Sequence, residues 1–121
     1  MIWRWSLAAL LLIHGGIHLL GFLASTGLAV VPQISAEPTL LPDDYEVGDQ
    51  VLVALGALWL VAFLGFAASA IGLGMRRSWW LRLAVASAVL STFLIVLWWP
   101  DAAFGLVPNL MVFVVFAVRR F

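Results

Sequence analysis

Residues 2–24 read IWRWSLAALLLIHGGIHLLGFLA, an apolar run whose only ionisable side chains are Arg4 near its start and His14 and His18 in its middle. A membrane-spanning helix needs about 20 apolar residues at 1.5 Å rise each, so this run predicts one span. Three further stretches qualify or nearly qualify, at about 51–73, 79–99 and 102–118. They leave a long loop over 25–49 and a tight hairpin between the last two spans, around Pro100. The expected fold is all-α, a single membrane domain of 121 residues built as a bundle of four transmembrane helices. Composition points the same way: 65% hydrophobic residues against 10% charged, with mean hydropathy +1.15, lies far from the balance of soluble domains. The first run is longer than the h-region of a signal peptide and is read as a retained span, although Ala24-Ser25-Thr26 supplies small residues that would suit cleavage. No tandem repeat is visible.

The charges orient the bundle. Arg4, Arg76, Arg77, Arg82, Arg119 and Arg120 fall at the N-terminus, the second loop or the C-terminus, whereas Glu37, Asp43, Asp44, Glu46, Asp49 and Asp101 fall in the first or third loop. The positive-inside rule then predicts both termini in the cytoplasm and the acidic loops outside. Trp3, Trp5, Trp79 and Trp80 are expected at the inner interface and Trp98 and Trp99 at the outer one, which leaves Trp59 as the deep tryptophan. The arginines could also attract anionic lipid headgroups, but topology alone accounts for them. Nothing in the chain suggests nucleic-acid binding.

The outer loop cannot be one continuous helix, because Pro32, Pro38 and Pro42 interrupt it. It is read as a connector whose acids maintain topology and cap the second helix, with a lid over the bundle mouth as the alternative. Asp43, Asp44, Glu46 and Asp49 lack the alternation and glycine position of a calcium loop. Small residues four apart favour close helix contact: Gly65 with Ser69, Ala68 with Gly72, Ala70 with Gly74, Ala84 with Ala88, and Ser87 with Ser91. Asp101 is expected to cap the fourth helix, and Pro108 to leave the Phe104 carbonyl without its helical partner.

Ionisable groups at bilayer depth are costly, which makes His14 and His18 the principal site candidates. Their i, i+4 spacing puts both on one face of the first helix, with Leu11, Gly21 and Phe22 on the same stripe. Counted from Ala24, His18 lies about 9 Å deep and His14 about 15 Å, while Asn109 lies about 12 Å from Asp101. A ligand-binding or proton-handling cluster of His14, His18 and Asn109 below Asp101 is therefore expected. Gly15, Gly21 and Gly105 are assigned to helix packing near it.

Two histidines fall short of the three protein ligands a metal site normally has, so no metal site is assigned. Haem ligation needs an axial histidine, and two on one helix face cannot clamp both sides of a single macrocycle without a second protomer. No phosphate loop, Ser/His/Asp set or paired intramembrane carboxylate appears, so no catalytic residue is assigned. The reading with the fewest added assumptions is an intramembrane polar site for a lipid, a quinone or a proton. The alternatives are a neutral histidine pair bonded across the bundle to Asn109, Ser87, Ser91 or Thr92 as polar glue, an accessory subunit of a larger membrane complex or a homo-oligomer without chemistry of its own, and a metal- or haem-binding redox protein. No cofactor can be named.

The strings IHGGIHLLGF (residues 13–22) and WWPDAAFGLVPN (residues 98–109) resemble a family of small uncharacterised bacterial membrane proteins, more loosely similar to the DoxX-like four-helix proteins. The resemblance implies a bacterial inner membrane and singles out His14, Gly15, His18, Gly21, Asp101, Phe104, Gly105 and Asn109. It implies no particular reaction. Pro108 departs from the family pattern.

Overall fold

A computed structural model describes residues 2–42 and 44–120; Met1, Asp43, Phe121 and the Arg120 side chain lie outside what is described. The chain forms four α-helices: α1 (Ile2–Ser25), α2 (Asp49–Gly74), α3 (Trp80–Leu97) and α4 (Leu106–Arg120), with a 3-10 turn at Ala103–Gly105 before the last. No strand occurs among the described residues. Three helices, α1 to α3, are long and apolar enough to cross a membrane, and α4 is a shorter apolar helix.

Small residues set the register between neighbours. Along the antiparallel α1–α2 pair, Gly21 meets the Trp59 ring and Gly15 meets Phe66, where an added Cβ would lie 3.0 Å from the Phe66 Cβ. Between α2 and α3, Gly65 receives Ser87 and Gly72 receives Trp79 and Trp80. Between α3 and α4, Gly105 packs on Ile95. Closely spaced backbones of this kind are how helices associate where no hydrophobic driving force separates them from their surroundings.

The distribution of polarity inverts that of a water-soluble bundle. His14, His18, Ser69, Ser87, Ser91 and Asn109 are buried, while Val61, Leu64, Ile71, Val89, Phe93 and Val114 are exposed. Of the buried serines off the site, Ser69 and Ser87 satisfy their hydroxyls on their own helix, on the Gly65 and Leu83 carbonyls, whereas the Ser25 hydroxyl has no hydrogen-bond partner. In hydrocarbon such internal pairing is what makes a hydroxyl tolerable.

Three expectations about the fourth helix need correction. The fourth helix begins at Leu106 rather than at 102, because the chain first makes the 3-10 turn. Asp101 does not cap it: the turn starts at Ala102 without a side-chain cap, and Asp101 Oδ2 instead accepts the backbone N–H of Ser35 at 3.1 Å. Pro108 therefore falls in the first turn of α4, where N–H groups lack helical partners anyway. The Phe104 carbonyl is not a mid-helix orphan either, since the Leu106 N–H donates to it and to Ala103. Trp98 and Trp80 are buried within the protein, Trp98 completely because the outer loop folds over it.

The loop is anchored by a series of bonds to the α3–α4 hairpin. Trp98 Nε1–H donates to the Ser35 carbonyl (2.8 Å), the Thr39 hydroxyl to the Trp99 carbonyl (2.7 Å), and the Leu40 N–H to the Leu97 carbonyl (2.9 Å). Ile34, next to the first of these anchors, is buried. The loop's acids do not cap α2 through a side chain: its N-cap is Gly48, with Asp49 in the first turn, where a negative charge suits the helix dipole.

At its other end α2 closes with a 6→1 bond from Arg77 N–H to the Gly72 carbonyl (2.8 Å) and a 5→2 bond from Arg76 N–H to the Leu73 carbonyl (3.1 Å). This is the pairing of a Schellman cap, whose left-handed position is normally glycine. Here Arg76 occupies it at φ 57°. An L side chain in that region costs about 1–2 kcal/mol.

Candidate functional site

Helix α1 presents His14 and His18 to the bundle interior one turn apart, both nearly inaccessible, at 2% and 1% exposure. Their rings meet edge to face with centroids 4.7 Å apart. Phe66 packs against both rings, and Trp59 against His18 at 5.3 Å. Thus α2 forms the aromatic wall of the site, while α3 and α4 supply its polar partners.

The hydrogen bonds form one directed network. Asn109 uses both amide hydrogens, donating to Ser91 Oγ (2.9 Å) and Thr92 Oγ1 (3.1 Å), and its Oδ1 lies 2.8 Å from His14 Nε2. Because a carbonyl oxygen only accepts, His14 must carry its proton on Nε2. The same logic fixes the second ring. With both rings neutral, His18 Nδ1, 2.8 Å from the His14 carbonyl, donates to it, and His18 Nε2 accepts the Ser91 hydroxyl at 2.6 Å. Thr92 donates to the Ala88 carbonyl at 2.7 Å and is thereby free to accept from Asn109. The two histidines consequently hold opposite tautomers, each with a single N–H.

Two polar atoms remain outside the network. His14 Nδ1, an acceptor in this tautomer, and Trp59 Nε1, a donor, are both buried without a hydrogen-bond partner. Both residues line one small cavity of about 10 Å³ that also touches His18, Ile34, Ile95 and Gly105. That volume is about the minimum for one water molecule. Ile34 lines the cavity from the loop side, and Gly105 packs closely beside it: an added Cβ there would lie 2.9 Å from Ile95 Cδ1 and 3.5 Å from His14 Cε1.

The depth count thus brings together His14, His18 and Asn109 as expected, although α1 and α4 touch little elsewhere. Gly15 and Gly21 lie on the same face against Phe66 and Trp59, and Gly105 on the opposite wall. Asp101 is not hydrogen-bonded to the histidines or Asn109; it reaches the site indirectly, by holding Ser35 beside Ile34. Ser91 and Thr92, foreseen only as polar glue, are core members of the network. Ile34 and the site role of Trp59 were not foreseen. Trp59 carried one signal, its distance from both groups of interfacial tryptophans, whereas nothing local marks Ile34.

Among the described residues, no three His, Asp or Glu side chains converge as a metal site would require. Three of the four histidine ring nitrogens are already engaged, which leaves one available ligand atom. The chain matches no family model, no curated protein and no solved structure.

Proposed function

We propose that this protein is a membrane-embedded receptor for the hydroxyl-bearing polar head of a lipid-soluble molecule, a quinol or lipid alcohol, bound at His14 beneath a lid formed by the outer loop. The observation that carries this reading is the pairing of a buried unpartnered acceptor, His14 Nδ1, with a buried unpartnered donor, Trp59 Nε1, on residues lining one cavity. A hydroxyl is complementary to both, donating to the imidazole and accepting from the indole. An orphaned polar group in a membrane interior is otherwise costly. The apolar remainder of the cavity wall suits the ring or chain that follows the hydroxyl.

At about 10 Å³ the site has room for no more than water, and in this reading Ile34 moves aside to admit the ligand. Ser35 is the latch, held on one side by Trp98 and on the other by Asp101. Asp101 acts in this reading as a lid-holding residue. The resemblance noted above supports a bacterial inner membrane, and the sorting of arginines from acids supports an N-terminus inside. Labelling of a Val30→Cys variant, at a loop position 94% exposed, checks the orientation: modification from the outer face of intact cells is expected, and modification only after permeabilisation contradicts it.

A short-tailed ubiquinol titrated into nanodisc-embedded protein tests the site, with tryptophan fluorescence as readout. In His14→Gln the side-chain amide nitrogen takes the place of Nε2, which keeps the bond to Asn109 and deletes the Nδ1 acceptor. Affinity should fall about fivefold, the value of one net hydrogen bond. In Ile34→Ala binding should accelerate. If His14→Gln binds the quinol as wild type does, the reading fails. The completely paired Asn109 then favours the alternative, a network that serves as polar glue in a subunit without chemistry of its own.

A further inference from the structure

At the end of the bundle opposite the acidic loop, Arg4 of α1, Arg76 and Arg77 of the α2–α3 turn, and Arg119 of α4 line a single cleft of about 500 Å³. Trp3 and Trp80 share its wall, and the Arg119 guanidinium lies over both rings, 4.8 and 5.8 Å from their centroids. No Asp or Glu among the described residues lines it. Four guanidinium groups gathered from three parts of the chain raise a concentrated positive potential, which favours a multiply oxygenated anion. Topology requires arginines on this side of the membrane, but it does not require them to converge.

Two further observations narrow the ligand. Arg76 projects into the cleft from a left-handed backbone position that glycine would occupy without strain, and retained strain of this kind points to a function at the residue. Beside the cleft, α1 and α2 leave an outward-facing apolar groove of about 460 Å³ lined by Ala8, Ala9, Leu12, Ala70, Ile71 and Gly74. Arg4 joins the two features: it lines the cleft, and its guanidinium lies 5.2 Å from the ring of Trp5, which lines the groove. Charge at one end and a small-residue slot at the other match a phosphate headgroup with an attached acyl chain.

We infer that this cleft binds an anionic phospholipid, with the phosphate among Arg4, Arg76 and Arg119 and an acyl chain in the α1–α2 groove. The site is separate from the histidine network and stands whether or not that network binds a ligand.

The test reconstitutes the protein in nanodiscs of phosphatidylcholine with and without phosphatidylglycerol, and reads retained lipid by native mass spectrometry. Wild type should retain phosphatidylglycerol selectively, and inorganic phosphate should not displace it. Arg76→Gly and Arg119→Gln should each weaken retention about fivefold, as expected for one arginine at a lipid surface. Arg76→Gly relieves the left-handed position, so its thermal midpoint should hold or rise and misfolding cannot explain the loss. Arg82→Gln removes a charge from the same end but outside the cleft and should retain lipid normally. Equal retention of the two lipids, equal loss in all three variants, or saturation by inorganic phosphate with no advantage for phosphatidylglycerol would each overturn the inference.

Discussion

Replacing Asn109 with alanine should lower the unfolding free energy in detergent by about 3–5 kcal/mol, the larger of two effects expected from single substitutions. Asn109 is 1% exposed and forms three side-chain hydrogen bonds, to His14, Ser91 and Thr92. Interhelical bonds of this type contribute about 0.6 kcal/mol each on average in a membrane bundle. Their loss also leaves the His14 N–H buried without an acceptor, which costs about 1–3 kcal/mol more. The bond between His14 and Asn109 moreover ties α1 directly to α4. Unfolding titrations in mixed micelles would read the change, and a loss below about 0.5 kcal/mol would show that the network does not hold the bundle together.

The second effect is steric. Gly21→Ala should cost about 1–3 kcal/mol, the usual range for overpacking a filled core. The new Cβ would lie 2.7 Å from Trp59 Cε2 and 2.8 Å from Cε3. The indole cannot easily retreat, since Trp59 is 1% exposed and is held by His18 on one side and Trp98 on the other, each with a centroid separation of 5.3 Å. Gly16→Ala is the matched control on the same helix, because its Cβ would meet nothing within 4 Å. Thermal melts of the two variants should differ, with Gly16→Ala neutral or slightly stabilised by its higher helix propensity. Equal midpoints would mean that the Gly21–Trp59 contact is loose.

Much of this arrangement is legible in the sequence because it depends on periodicity and length. The four apolar runs locate the helices within a few residues. Helical rise counted from Asp101 matches Asn109 to the histidines, although α4 begins only at Leu106, and spacing alone puts the two histidines on one face. What could not be read depends on how irregular backbone returns to the bundle. Trp98 looks interfacial by position and is buried because Ser35 accepts its indole N–H. Asp101 has the residue type and position of a helix cap, yet a loop amide some 66 residues earlier in the chain takes its carboxylate. The delayed start of α4 has the same origin, since the 3-10 turn moves Pro108 into a first turn where its missing donor has no consequence. Ile34 lies among prolines and polar residues in a segment without periodicity, so its place at the cavity became visible only in three dimensions.

The opposite tautomers of the two histidines, and the free acceptor that follows from them, are the central claim. Nitrogen-15 NMR of histidine-labelled protein in nanodiscs measures both directly. The account predicts unprotonated nitrogens at His14 Nδ1 and His18 Nε2, with added short-tailed ubiquinol moving the His14 Nδ1 resonance and leaving the His18 pair in place. Two rings in the same tautomer, or a quinol that binds without moving the His14 Nδ1 resonance, would contradict it.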